Sequence, residues 1–149
     1  MVDTAFRRET VVSVDAAVVG ISRDRWVALK EGTDSLEEAQ RIMASNSFDV
    51  LPVVSNGRRV VSYYRTRHWN RFDAIDSARV TYADLLPFDT RIREVIRGLA
   101  ERKRLFFFLT YEAEIVGLIS VANLNARQVQ VYLFGLLSEL EKRLGPKQA

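Results

Sequence analysis

The chain has 149 residues, 48% of them hydrophobic and 28% charged, and no cysteine. That length holds one domain or two small halves sharing a core, and the composition is globular, far from a disordered chain. The absent thiols exclude a disulfide framework, a zinc–thiolate site and a cysteine nucleophile and fit a reducing compartment, while the formal charge of +3 is too modest to define a partner by itself.

Residues 1–24 open with Asp3, Arg7, Arg8 and Glu9 ahead of any apolar run, which is not the pattern of a signal peptide. No window in the chain offers the ~18 uncharged apolar residues of a membrane span, so a cytoplasmic protein without membrane contact is expected. The segment TVVSVDAAVVGIS (10–22) reads equally as a strand or as a short helix followed by a strand.

An internal repeat organises the chain from residue 33 to residue 123. The first copy is TDSLEEAQRIMASNSFDVLPVVSNGRRVVSYYRTR (33–67) and the second FDTRIREVIRGLAERKRLFFFLTYEAEIVGLISVAN (88–123). In the first, Ser35 followed by Glu38 predicts a capping box, and Leu36, Ala39, Ile42 and Met43 form an apolar face at helical spacing. In the second, Asp89 or Thr90 can cap, and Ile92, Val95, Ile96 and Leu99 repeat that face. Each helix passes through a polar segment into an apolar strand, VLPVV (50–54) or LFFFL (105–109). A turn comes next, with Asn56-Gly57 as a hairpin signal in one copy and YEAE in the other. The predicted return strands are VVS (60–62) and VGLIS (116–120), with further strand-like runs upstream at RWVAL (25–29) and RVTYADLL (79–86). Matching Ser62 to Ser120 makes the second turn about two residues longer. Neither copy can bury a sheet alone, so the two are expected to pack face to face.

At the end of the first copy and just beyond it, residues 57–71 carry five arginines and no acid. The stretch reads as a solvated basic face or as an anion site, with Tyr63, Tyr64 and Trp69 available to stack on bases. His68, the only histidine, sits among arginines and offers neither a metal site nor a general base. Past the second copy, Val129, Tyr132, Leu133, Leu136, Leu140 and Leu144 predict an amphipathic helix ending at Gly145-Pro146, docked on its own sheet or forming a homodimer contact.

The two ordered copies resemble a pair of cystathionine-β-synthase (CBS) domains over about residues 20–125. The family pattern is an Ala-containing helix, a Leu-Pro-Val-Val strand, a Gly-containing turn, and a strand ending Gly-h-h-Ser/Thr-x-x-Asp, where h is apolar. GLISVAN (117–123) fits that ending except for Asn123 in place of Asp. The resemblance implies an α/β (α+β) fold of two tandem β-α-β-β-α repeats packed face to face with pseudo-two-fold symmetry, plus the C-terminal helix. The expected divisions are a 1–24 extension, repeats at 25–78 and 79–126, and a helix at 127–145.

The resemblance also implies two clefts for AMP, ADP, ATP or another adenosyl ligand. In one, Ser120 would meet phosphate and Asn123 ribose, with Trp26, Val27, Ala28, Phe48 and Asp49 walling the base. In the other, Ser62 and Arg65 would stand in those places, facing Tyr82, Ala83, Lys103 and Arg104. Arginine cannot accept from ribose hydroxyls but pairs well with phosphate, so a nucleotide with several phosphates, or nothing, is expected there. Each residue also has a plainer reading. Ser120 and Asn123 can cap a helix, Trp26 can be a core or interface aromatic, and Lys103 and Arg104 can be a solvated helix end.

No nucleotide-loop motif, metal-ligand spacing or assembled acid–base pair is present, so no enzyme is expected. The expected function is a non-catalytic regulatory module, dimeric, that binds an adenine nucleotide and modulates a separate protein. The alternatives are a ligand-free dimerisation or docking module and, behind it, nucleic-acid binding through 57–71.

Overall fold

The computed structural model describes residues 14–56 and 59–124. The expected helix over 127–145, residues 1–13 and the Gly57-Arg58 turn tip lie outside the described residues. The helices are α1 (Ala16–Val19), α2 (Leu36–Asn46), α3 (Ile92–Arg102) and α4 (Val121–Leu124), with a 3-10 turn at Tyr82–Asp84. The strands are β1 (Ile21–Ser22), β2 (Leu29–Lys30), β3 (Val50–Val54), β4 (Val60–Thr66), β5 (Ile75–Arg79), β6 (Leu85–Pro87), β7 (Phe106–Tyr111) and β8 (Glu114–Ser120).

They form two four-stranded sheets of matching design, ordered β2-β3-β4-β5 and β6-β7-β8-β1. In each, the first pair is parallel and the other two antiparallel. β3 and β7 bury both faces, which is why they read as unbroken apolar runs. On one face Phe106, Phe108, Val50, Tyr63 and Leu118 meet between the sheets. On the outer faces, Leu51, Val53 and Tyr64 pack under Ala39 and Met43 of α2, and Phe107, Leu109 and Ile119 pack under Val95 and Leu99 of α3. The result is helix, sheet, sheet, helix, with the fold of a tandem repeat.

Both repeat helices lie where the apolar spacing puts them. Ser35 accepts from the Glu38 N–H at 3.2 Å, but Glu38 turns its carboxylate to Arg41, so only half of the capping box forms. α3 has Arg91 at its N-cap position, with no side-chain cap, and Thr90 instead donates to the Pro87 carbonyl. Each helix ends in a left-handed residue, Ser47 (φ 57°) and Lys103 (φ 53°).

Three features differ from the sequence-based expectation. First, RVTYADLL is not one strand: β5 ends at Arg79, the 3-10 turn intervenes and β6 begins at Leu85. Second, strand β1 precedes the first copy yet pairs with β8, and β5 leads into the second copy yet pairs with β4. β1 thus crosses into the second copy's sheet, while β5 extends the first copy's own. Gly117 permits the crossing, because a Cβ there would lie 2.7 Å from the Ile21 carbonyl oxygen.

Third, the hydrogen-bond register corrects the alignment of the copies. Val53 faces Ser62 and Leu109 faces Gly117, while Val50 faces Arg65 and Phe106 faces Ser120. A bulge falls at the same place in both hairpins, between Val53 and Val54 and between Leu109 and Thr110. Ser120 is therefore the counterpart of Arg65, and Ser62 that of Gly117. The second turn is the shorter one, closed by Glu112 (φ 49°) and Ala113 (φ 66°), the two positive values of a type I′ hairpin.

Candidate functional site

The end of β8, the start of β3 and the chain between β1 and β2 converge on a cavity of about 400 Å³. It is lined by Trp26, Val27, Phe48, Asp49, Ser120 and Asn123, six residues from three separate stretches singled out in the sequence. Its apolar wall adds Val50, Pro52 and Leu118, and Trp26 sits edge-on to Phe108 at 6.3 Å. The volume lies within the range of small-molecule sites. Ala28 is half-buried beside this cavity and does not line it.

At the polar end, Ser120 terminates β8 and α4 starts at the next residue. Asn123 Oδ1 accepts from the Ser120 N–H at 2.8 Å and from its Oγ at 3.1 Å. Asn123 therefore does cap the helix, as the plainer reading held, while among the described residues its Nδ2 has no partner. Asp49 is buried, and its Oδ1 accepts from Thr66 Oγ1 (2.8 Å) and the Asn70 N–H (2.9 Å). Those bonds tie the chain leaving β4 to the start of β3, which gives Asp49 a structural duty besides its place in the wall. Arg25, Asn46 and Ser47 also line the cavity, unforeseen from sequence. Among the described residues Arg25 is the one cation in the lining, and its place beside Trp26 was a usable signal.

The counterpart cleft differs. Arg65, Lys103 and Arg104 line a depression of about 320 Å³ with Thr66, Arg67, Asp76, Leu105 and Phe106. Ser62 and Ala83 line neither depression, and Tyr82, 93% exposed, lies on a separate groove with Arg59 and Arg79. Behind the depression, Asp84 is buried and accepts from Arg104 Nη2 (2.6 Å), Tyr63 Oη (3.0 Å) and the Thr81 N–H (2.8 Å). Burial, then the Asp84 charge, raises the Tyr63 hydroxyl above its ordinary pKa. The Arg104 guanidinium lies 5.0 Å from the Phe106 ring centroid and 5.2 Å from that of Phe107.

The basic stretch loses most of its case as a nucleic-acid surface. Tyr63 and Tyr64 are core residues, 2% and 7% exposed, so neither can stack on a base. Asp76, reaching across from β5, pairs with Arg65 at 3.0 Å and with Arg67 at 3.1 Å. Among the described residues there is no metal-ligand cluster and no helix long and apolar enough to cross a membrane.

Comparison with known proteins bears on the fold. The CBS domain family matches residues 11–64. Among solved structures, a conserved protein from Pyrococcus horikoshii aligns over 76% of this chain and 90% of its own, at 21% identity and a TM-score of 0.58. A CBS-domain protein from Thermoplasma acidophilum covers 83% of this chain and 74% of its own, at 13% identity and 0.57. CBSX2, solved in complex with AMP, covers 78% and 97%, at 12% identity and 0.58. None of the curated proteins compared matches the chain.

Proposed function

From a chain that carries a CBS domain at residues 11–64 within the fold of CBS-domain proteins, we propose a regulatory, non-catalytic module that binds an adenine nucleotide or related adenosyl ligand. The ligand takes the cavity bounded by Trp26, Phe48, Ser120 and Asn123, and its binding alters the state of a separate partner protein. The carrying observation is the convergence of those residues, from distant parts of the sequence, on one cavity with an apolar wall and a polar end. That division suits a ligand with a flat base at one side and hydroxyl or phosphate groups at the other. The AMP complex of CBSX2 is a fold-level precedent. Regulation then arises from differential affinity for two conformations, typically about 1–3 kcal/mol of coupling.

Thermal unfolding with AMP, ADP, ATP, NAD and S-adenosylmethionine tests the reading. A true ligand at about 100 times its dissociation constant adds about 2.7 kcal/mol, several degrees of melting temperature. Trp26→Ala and Ser120→Ala should each remove that shift. A second reading, a ligand-free docking or homodimer module, is favoured by one observation: the Asn123 acceptor is already engaged with Ser120. No shift with any compound, together with dimerisation of the apo chain, would select it.

A further inference from the structure

The second cleft has lost the place for a base and kept the charge for an anion. Arg104 occupies the position that Phe48 holds in the first cleft, and Tyr63 that of Leu118, as the strand register shows. Both side chains are drawn onto the buried Asp84, and the Arg104 Nε donates to the Phe106 carbonyl at 3.2 Å. Arg104 is thus consumed from both sides, and the apolar wall on which a base would lie is filled by protein. A base could enter only by breaking an ion pair whose side chains are 16% and 3% exposed, leaving a buried carboxylate without its partner.

The mouth of the same cleft is different. Arg65, Arg67 and Lys103 line it, together with one acid, the half-buried Asp76. Arg65 and Arg67 each give Asp76 only their Nε, so among the described residues the Nη groups of both guanidiniums are unpaired, as is the Lys103 ammonium. Two guanidinium forks fixed by a shared carboxylate, with a third cation opposite, match the oxygens of a phosphate-class anion. We propose that the second cleft is a base-free anion site, taking an inorganic phosphate-class oxyanion through Arg65, Arg67 and Lys103 while the Arg104–Asp84–Tyr63 network excludes the nucleoside. This assignment does not depend on the first cleft's binding a nucleotide.

Calorimetric titration with inorganic pyrophosphate at low ionic strength tests it, with ADP and adenosine in parallel. One pyrophosphate per chain is expected, weakened at least tenfold by Arg65→Ala combined with Arg67→Ala. Lys103→Gly should weaken it too without loss of folding, since its left-handed backbone suits glycine. Trp26→Ala, in the first cleft, should leave pyrophosphate binding unchanged, and adenosine should not compete. Absence of pyrophosphate binding would overturn the proposal, as would binding that survives the arginine substitutions or is lost in Trp26→Ala. Adenosine competing with pyrophosphate for the site sensitive to Arg65→Ala would show that a base enters after all. Failure of the nucleotide reading gives a different result: pyrophosphate binds and ADP occupies nothing sensitive to Trp26→Ala.

Discussion

Asn123 differs from a carboxylate by one terminal atom, and its Oδ1 already accepts the N–H and the Oγ–H of Ser120. Asn123→Asp should preserve both bonds, because a carboxylate is the better acceptor and a negative charge is favoured at a helix start. No loss of melting temperature is therefore expected. The freed carboxylate oxygen could accept from ribose hydroxyls, worth about 1 kcal/mol or roughly fivefold in nucleotide affinity. Unchanged affinity in calorimetry would limit Asn123 to the cap. Arg104 presents the opposite case, a cation whose removal strands an acid. Arg104→Ala should cost about 3 kcal/mol, and the double variant Arg104→Ala/Asp84→Ala much less than the sum of the single ones. Additive urea midpoints would mean that the pair is not coupled. Sequence made the charges at this site visible but not their partners: Asp84 lies within an apparent strand, 20 residues from Arg104.

At the level of elements, the crossing of β1 into the second copy's sheet depends on a backbone approach that only glycine allows. Gly117→Ala would place a methyl 2.7 Å from the Ile21 carbonyl oxygen, against backbone that cannot rotate away. The expected cost is about 2 kcal/mol, with β1 loosened first. Limited proteolysis should then cut between Ser22 and Leu29 faster than in the parent chain, and equal cleavage rates would contradict the crossing. Both repeat helices were legible because an apolar face at helical spacing is a local signal, as in Ile92, Val95 and Leu99. β5 was not. IDSAR has no apolar alternation, and it becomes a strand because β4 offers five residues of pairing at its open edge. The register was hidden for a related reason. Aligning Ser62 with Ser120 rewarded residue identity, whereas hydrogen bonding counts from the bulge and selects Arg65.

Across the whole molecule, tyrosines buried beside carboxylates should make stability fall at alkaline pH. The Tyr64 hydroxyl donates to Asp34 Oδ2 at 2.7 Å, joining β4 to the chain just before α2. Burial first, then this bond and the Asp34 charge, push its pKa up to about 12. In the unfolded chain the same hydroxyl titrates near 10. Below about pH 10 both states hold the proton, and the stabilisation is fully present. Between about 10 and 12 the unfolded state gives up its proton and the folded state does not, so stability falls as pH rises and the contribution is gone above the folded value. Tyr63, raised in the same direction by burial and Asp84, adds to the fall. The loss from Tyr64 is at most about 3 kcal/mol, two pKa units at about 1.4 each. Urea midpoints measured from pH 8 to 12 should decline through this window in the parent chain. The decline should flatten in Tyr64→Phe and flatten further with Tyr63→Phe, since phenylalanine fills the same space and has no proton to lose. An equally steep decline in the double variant would assign alkaline unfolding to other groups and remove these two hydroxyls from the account.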